Sequence, residues 1–301
     1  MSDQKALAIV YQFGKVASTS IVKSLNNCPG VEAHQSHFLG EDALKRMVSS
    51  ATDTNTNPYF HKHIVGQFMT NLELTYNMNR AMKDAKRKLV VLNLTRDPID
   101  WLRSCIQQDV EGYFDDIVAH ARTRGIDAEG DEALFTSGLT EILRENVELI
   151  EAKGGIQETL NEFTSLRGQA FFKDTEVVPG SIVAKIWFLV VRPLIWFEDH
   201  FEKCFSISFG DFSKSENHWE HINNQASFVI LRYEDIASDL VKAMASVGIE
   251  MTEPLAKENL SRNKPHSSSI LSAFDSTPAE LLRNHIKKSH YCVRYGYTQD
   301  R

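Results

Sequence analysis

The sequence has few cysteines and no pattern that would join them. Its four cysteines are Cys28, Cys105, Cys204 and Cys292, and they form no Cys-x-x-Cys pair and no Cys/His spacing typical of zinc ligands. We therefore expect neither a disulfide framework nor a zinc site. A reducing compartment suits such a chain best.

The chain also has no long uninterrupted apolar run. Its most apolar stretch, 182–197, contains Lys185, Arg192 and Pro193 and is shorter than the roughly 18 residues that indicate a membrane span. The first residues, MSDQKALAIVYQFG, lack the charged segment, long apolar segment and cleavage site of a secretion signal. We expect no membrane span and no secretion signal, and we place the protein in the cytoplasm.

An excess of positive charge is absent as well. The 33 Lys and Arg residues stand against 40 Asp and Glu residues, which gives a net charge of -7. A surface of that balance is not the broadly basic one that nucleic acids or anionic membranes attract, although a local basic cleft is compatible with it. With 301 residues, 42% of them hydrophobic, the chain is expected to form a single globular domain over 1–301.

Strand-like and helix-like segments alternate along the chain. Apolar runs at 6–13, 31–39, 89–94, 205–209 and 226–232 predict strands, and segments with helical periodicity lie between most of them. The stretch from about 111 to 170 is helical and charged throughout, which indicates a helical insertion. We therefore predict an α/β fold with a central parallel sheet, which would bind ligands at the carboxyl ends of its strands.

The loop after the first strand has the composition of an anion-binding loop. It reads Phe13-Gly14-Lys15-Val16-Ala17-Ser18-Thr19-Ser20 and leads into a helix, so it offers a glycine, small residues, a lysine, hydroxyl groups and a helix N-terminus. It is not the GxxxxGK[ST] loop of nucleotide triphosphatases, because the first glycine is missing and no hydroxyl residue directly follows the lysine. An ordinary strand-to-helix turn has a similar composition, so the loop alone does not settle the matter.

A second candidate anion ligand follows the apolar run at 89–94. Arg96 lies at the end of this predicted strand, and Asp97-Pro98 begins a helix that places Ser104 about two turns further on. A guanidinium group and a hydroxyl group together suit a phosphate monoester. Taken alone, Arg96 is equally compatible with a structural ion pair.

The pair KVASTS and RDPxxxxxS resembles the two signatures of the sulfotransferase superfamily. Two further segments, PLIWFEDHFEKCFSISF at 193–209 and VILRYEDI at 229–236, are similar to blocks of bacterial sulfotransferases of the capsular-polysaccharide synthesis group. The resemblance implies a three-layer fold of the P-loop type and transfer of a sulfuryl group from 3′-phosphoadenosine 5′-phosphosulfate. The helical stretch from 111 resembles no block of that family. The loop lacks the aromatic ending of the phenol and steroid enzymes, which favours a glycan or glycoside hydroxyl as acceptor.

The resemblance also implies roles for individual residues. Lys15 would place a positive charge at the bridging oxygen of the donor, and Arg96 with Ser104 would hold the 3′-phosphate. The N–H and hydroxyl groups around the 5′-phosphate would come from Ala17, Ser18, Thr19 and Ser20. We expect no metal, since the lysine and the helix dipole can supply the positive charge.

A histidine is the best candidate for the general base, because its pKa lies near neutrality. The resemblance places a catalytic group about where His37 stands, at the end of the second predicted strand, and we choose His37 on that ground. His34, three residues earlier, should face the opposite side of the strand. The remaining candidates are His63 as second choice, then His61, His218 and His221, and any of these histidines could instead be purely structural.

Two other functions remain open at this point. A P-loop kinase or triphosphatase is disfavoured by the loop spacing and by Arg96 where a carboxylate would be expected. A nucleotide-binding protein without catalytic activity is the second alternative, because several histidines are candidates for the general base and any of them could be structural. Smaller signals are weaker: Tyr233-Glu234-Asp235 is interpreted as structural, and Arg262-Asn263-Lys264 resembles a loop that contacts the adenosine in related enzymes.

Overall fold

Two compact units make up the computed structural model. The structure describes residues 5–53, 58–84, 87–216, 218–251, 255 and 264–299. The described residues within 1–96 and 196–259 form the first unit, and those within 97–195 and 260–301 form the second.

The first unit contains a six-stranded sheet. Its strands in chain order are β1 Ala6–Tyr11, β2 Val31–Ser36, β3 Leu89–Thr95, β4 Ser213–Ser215, β5 His218–Ile222 and β6 Ala226–Arg232. The spatial order is β2-β1-β3-β6-β5-β4, with parallel pairing from β2 to β6 and antiparallel pairing of β5 and β4. This confirms the predicted α/β class with its mostly parallel central sheet.

Helices fill most of the remaining chain. They are α1 Ser18–Asn26, α2 Glu41–Thr52, α3 Pro58–Lys83, α4 Pro98–Gln108, α5 Val110–Thr123, α6 Asp131–Ala152, α7 Ile156–Leu166, α8 Gly168–Phe171, α9 Ile182–Trp196, α10 Lys203–Phe205, α11 Ile236–Ser246, α12 Ser267–Phe274, α13 Thr277–Ile286 and α14 His290–Tyr295. A π-helix, Phe197–Glu202, joins α9 to α10. In the first unit α1 packs on β1 and β2, α3 on β3, and α11 on β6, in keeping with a three-layer α/β fold.

The central strands are apolar because both of their faces are covered. All seven residues of β3 are buried, and its Leu92 pairs with Val10 of β1 and Val229 of β6. A parallel strand of this kind can carry a continuous apolar run instead of an alternating one. The run at 89–94 therefore gave a correct strand prediction.

The second unit consists of helices in the part of the chain that the structure describes. Helix α4 begins as predicted, with Asp97 accepting hydrogen bonds from Ile99 N and Asp100 N, and Pro98 in the first turn. In α6, burial raises the pKa of Glu145, but hydrogen bonds and charges from His120, 3.1 Å away, and Arg124, 2.7 Å away, outweigh burial and hold the pKa below its usual range. Through these contacts Glu145 connects α6 to His120 of α5 and to Arg124, which directly follows α5.

The strand predicted at 205–209 is wrong. Phe205 ends α10, and a 3₁₀ turn covers Phe209–Asp211. Phe197, Phe201 and Phe205 recur every four residues and pack on one another in succession, with ring centroids 5.0 and 4.9 Å apart. Their helical spacing continues the helical segment past Pro193, so Phe205 ends a helix instead of beginning a strand.

Other differences lie in polar segments. The edge strands β4 and β5 and the helices α12–α14 in the tail were not predicted, because short polar strands and Ser-rich helices carry little periodic signal. Between β2 and β3, α2 runs to Thr52 and α3 begins at Pro58. Within the described residues, no helix is long and apolar enough to cross a membrane.

Candidate functional site

The loop after β1 holds a left-handed backbone at three positions. Gly14 has a φ of 97°, Lys15 of 56° and Ala17 of 60°. Glycine adopts such values freely, but Lys15 and Ala17 carry a side chain, so each costs roughly 1–2 kcal/mol. Successive turns of this kind direct backbone N–H groups into one concave surface, which is a recurring geometry for binding anions. Non-glycine residues held in this region are concentrated at functional sites.

The loop delivers the chain into the N-terminus of α1. Ser18, Thr19 and Ser20 form the first turn, and Ala17 at the N-cap position has no side-chain oxygen to accept from their N–H groups. Ser18 and Ser20 are buried, whereas Thr19 is exposed. The four predicted phosphate ligands from Ala17 to Ser20 therefore lie where the positive end of the helix dipole meets the loop.

Gln12 connects this loop to His37. The side-chain Oε1 of Gln12 accepts a hydrogen bond from Gly14 N, and its backbone oxygen lies 2.7 Å from His37 Nδ1. A carbonyl can only accept, so His37 Nδ1 carries the proton of this bond. In the neutral ring the lone pair is then on Nε2. A carbon placed as Cβ on Gly14 would lie 3.8 Å from His37 Cε1, so the imidazole lies directly against the loop.

The other candidate histidines lie elsewhere. His34 is bound to Glu32 at 2.9 Å, and His61 is exposed on α3. His218 is buried on β5, 3.6 Å from Glu220, and His221 lies 2.9 Å from the backbone oxygen of Asp211. The side chain of His63 is outside the described residues, as are Arg262 and Asn263. Of these candidates, His37 is the one that lies against the loop.

Arg96 reaches the same loop from the end of β3. Its Nη1 donates a hydrogen bond to the backbone oxygen of Lys15 at 2.7 Å, and its guanidinium lies over the ring of Tyr233, 4.3 Å from the centroid. Because Thr95 of β3 pairs in parallel with Arg232 of β6, the residues that follow these two strands meet at one edge of the sheet. Tyr233 was interpreted only as part of a structural segment. Tyr233 directly follows β6, and Arg96 directly follows the neighbouring strand β3. This matching position is the signal that could have identified Tyr233.

Thus Lys15, His37, Arg96 and the first turn of α1 come together at the carboxyl edge of the sheet. The side chain of Lys15 is half-buried, as is that of Arg96. Ser104, also half-buried, lies on α4 in the second unit, and its role toward a 3′-phosphate stays a prediction.

Two further features limit the chemistry of this region. Burial raises the pKa of the Cys204 thiol to about 12, so it stays protonated near neutral pH and is a poor nucleophile. No group of three or more His, Cys, Asp or Glu side chains within the described ranges is arranged to hold a metal ion. The loop and the side chains that meet it include the cations Lys15 and Arg96, hydroxyls and backbone N–H groups, which suit an anionic ligand.

The left-handed backbone at Ala17 makes a testable difference to stability. Replacing Ala17 with glycine should raise the free energy of unfolding by about 0.5–1 kcal/mol, since glycine removes the strain of the positive φ. The greater conformational entropy of glycine in the unfolded chain offsets only part of this gain. Ala119, exposed within α5, is the matched control: there Ala119→Gly should lower stability by about the same amount. Urea unfolding measures both. Destabilisation by both variants would contradict the strained geometry.

The chain was compared with known proteins in three ways. It matches no protein-family model, and no curated protein or solved structure is significantly similar to it.

Proposed function

We propose that this protein is a sulfotransferase that moves a sulfuryl group from 3′-phosphoadenosine 5′-phosphosulfate to a hydroxyl group. The observation that carries the proposal is the left-handed loop of Gly14, Lys15 and Ala17, with His37 against it and Arg96 bound to it. This arrangement supports the proposal because it brings three groups to the same loop: backbone N–H groups that can bind an anion, a cation, and a histidine whose Nε2 can accept a proton. The sequence resemblance to the sulfotransferase superfamily supplies the choice of donor.

The residues present fit the anionic donor. The 5′-phosphate would lie on the N–H groups of the loop and of Ser18, Thr19 and Ser20, where the helix dipole favours negative charge. The sequence resemblance assigns the 3′-phosphate to Arg96, which lies over the ring of Tyr233, and to Ser104. The donor supplies the activated sulfuryl group, and the protein supplies position and positive charge.

The proposed step needs one base and one cation. The acceptor oxygen forms a new bond to sulfur while the bond from sulfur to the bridging oxygen breaks. The acceptor proton passes to Nε2 of His37, which is the lone-pair nitrogen of the neutral ring. The leaving 5′-phosphate keeps the electron pair of the broken bond, and Lys15 with the loop N–H groups neutralises the charge that develops there.

The acceptor is proposed to be a carbohydrate hydroxyl, and the place of action the cytoplasm. Both rest on the sequence: the former on the resemblance to bacterial glycan-type enzymes, the latter on cysteines whose spacing predicts no disulfide framework. A glycan precursor or a small glycoside in the cytoplasm would be a carbohydrate acceptor of this kind.

Nucleotide binding to the Arg96→Ala variant tests the proposal. Wild type should bind adenosine 3′,5′-bisphosphate more tightly than ATP or adenosine 5′-phosphate, without magnesium, because the site is built for a 3′-phosphate. Arg96→Ala should weaken that binding roughly 10- to 100-fold, the loss of one or two charge-assisted hydrogen bonds. Calorimetry measures the affinities with and without magnesium.

Arg87→Ala is the matched control for this experiment. Arg87 lies just before the N-terminal end of β3, opposite to the end that Arg96 follows, and it pairs with Glu32 at 2.8 Å. Its loss therefore removes the same charge far from the loop. It should leave nucleotide affinity unchanged. A preference for ATP with magnesium would instead support the kinase or triphosphatase, and equal binding by wild type and Arg96→Ala would reject the assigned phosphate site. Tight binding without any sulfuryl transfer, to acceptor or to water, would leave a binding protein.

A further inference from the structure

The turn that carries His37 is held by a side chain of α3. His37 directly follows β2, whose last residue, Ser36, is buried. The Oγ atom of Ser36 accepts a hydrogen bond from Phe38 N at 3.1 Å. It lies 2.8 Å from Phe38 O and 2.7 Å from Asn71 Oδ1 on α3, and the hydroxyl can donate to either oxygen. The residues on both sides of His37 therefore meet at one hydroxyl group, which also contacts α3.

A second contact from α3 holds the other end of the same turn. Thr75 lies four residues after Asn71, so the two side chains share one face of the helix. The Oγ1 atom of Thr75 accepts a hydrogen bond from Gly40 N at 3.2 Å. Between these two contacts, Leu39 O accepts a hydrogen bond from the hydroxyl of Tyr11 on β1 at 3.4 Å. Residues 36–40, here called the His37 segment, are thus held by α3 at both ends.

The two helix residues are polar although they lie among the buried apolar residues of α3. Asn71 is 4% exposed and Thr75 is 7% exposed, as little as Leu74 and Met78 on the same helix. Burying an amide or a hydroxyl group costs free energy unless it forms hydrogen bonds, a cost that an apolar residue avoids. Buried polar groups that are hydrogen-bonded fix one arrangement of their surroundings. The arrangement fixed by these two residues is that of the His37 segment.

We propose that Asn71 is a positioning residue for His37 and acts through Ser36. The bond from His37 Nδ1 to Gln12 O, 2.7 Å long, sets the direction of Nε2 only while the backbone of His37 stays in place. The contact between Asn71 and Ser36 keeps it there. The inference rests on the proposed function in one respect, namely that Nε2 takes the acceptor proton. The position of the imidazole itself can be measured without a substrate.

The rate of sulfate release from the donor tests the effect on the reaction. Asn71→Ala should be roughly 10- to 100-fold slower than wild type, since a misplacement of about 1 Å at a reacting group has an effect of this size. It should bind adenosine 3′,5′-bisphosphate as wild type does, because the loop itself is unchanged. In a His37→Gln background, Asn71→Ala should cause no further loss. A merely structural role would lower the rate by the same factor in both backgrounds.

Asn26→Ala is the matched control for this experiment. Asn26 is the last residue of α1 and also holds β2 through its side-chain amide, which accepts from Ala33 N at 2.8 Å and donates to Ala33 O at 3.0 Å. Its loss should lower the resistance to urea, as the loss of Asn71 should, but it should leave the rate of sulfate release unchanged. If Asn71→Ala does not fold, Ser36→Ala, which removes one oxygen atom from the same contact, replaces it in every comparison.

The proton on His37 Nδ1 gives a readout that needs no activity. Long-range ¹H–¹⁵N correlation from the carbon-bound ring protons shows which nitrogen of the neutral ring is protonated, and the signals of His37 are those absent from His37→Gln. Wild type and Asn26→Ala should carry the proton on Nδ1, whereas Asn71→Ala should show a mixture of both forms, because the bond to Gln12 O no longer selects one.

The outcomes separate this inference from the proposed function. A His37 ring that is the same in Asn71→Ala as in wild type, or a rate equal to that of Asn26→Ala, would overturn the role of Asn71. A wild-type ring without the proton on Nδ1 would overturn it as well. If wild type releases no sulfate and binds no bisphosphate, the proposed function fails, while the ring signals still decide whether Asn71 positions His37.

Discussion

Replacing Lys15 with alanine should lower the rate of sulfuryl transfer about a hundred- to a thousandfold, the usual effect of removing one donor that stabilises a developing charge. The backbone of Lys15 is held in place, since its φ is 56° and its carbonyl oxygen accepts a hydrogen bond from Arg96. The lysine therefore starts from a fixed position within the loop. The leaving phosphate gains charge only as the sulfur bond breaks, so the lysine should matter more in the transition state than in the bound donor.

This difference decides which quantity to measure. We expect Lys15→Ala to lower kcat strongly and to weaken binding of adenosine 3′,5′-bisphosphate by a much smaller factor. Because no acceptor has been assigned, the reaction to follow is the slow hydrolysis of the donor, in which water takes the place of the acceptor hydroxyl and inorganic sulfate is released.

Lys23→Ala is the control for the loss of positive charge on the same segment. Lys23 is exposed in the last turn of α1, at the opposite end of the helix from the loop. It should release sulfate at the wild-type rate. A Lys15→Ala variant that is no slower than Lys23→Ala, or that loses binding and rate by the same factor, would contradict a role for Lys15 at the bridging oxygen.

The sequence predicted those parts of the fold that depend on continuous burial. The runs that became β1, β3 and β6 are apolar because both faces of these strands are covered, and Asp97-Pro98 marks the start of α4 through local capping by the Asp97 side chain. The loop after β1 was visible from its composition, since a glycine, a lysine, small residues and hydroxyl residues lie between an apolar run and a helical segment.

Two other parts of the fold were missed. The run from Phe205 has strand-like composition, yet Phe197, Phe201 and Phe205 recur at a helical spacing and pack on one another, and the helical segment reaches Phe205. The strands β4 and β5 are short and polar, and the pairing of β5 with β6 and of β4 with β5 defines them. The spacing of the three phenylalanines could have been read from the sequence, whereas the pairing of these strands cannot be read from a local window of residues.

The candidate site divides in the same way. Residues carried by one segment, such as Lys15 and the first turn of α1, could be named from sequence. Contacts between segments could not: the stacking of Arg96 on Tyr233 depends on β3 and β6 being neighbours, and the hydrogen bond from His37 to Gln12 depends on β1 and β2 ending side by side. Gln12 is fully buried, and a buried polar residue at a strand end would have been the signal for it.

Replacing His37 with glutamine should lower kcat by a factor of about 10² to 10⁴, the usual contribution of a general base. The structure gives this expectation a definite chemical form. With Nδ1 donating to the oxygen of Gln12, the neutral imidazole carries its lone pair on Nε2, and protonation of that nitrogen would remove the base. The rate of the wild type should therefore fall as the pH falls through the titration of His37. In His37→Gln this acid limb of the pH profile should be absent.

His34→Gln is the control, because His34 lies on the same strand segment and is bound to Glu32 instead of the loop. It should keep both the rate and the acid limb. The pH profile also distinguishes a base from a structural contact: if His37 only holds the loop through Gln12, its loss would slow the reaction, weaken binding of adenosine 3′,5′-bisphosphate and leave the acid limb in place. An acid limb that persists in His37→Gln would therefore remove His37 as the base, whatever the size of the rate loss, and would direct the search to other titrating groups.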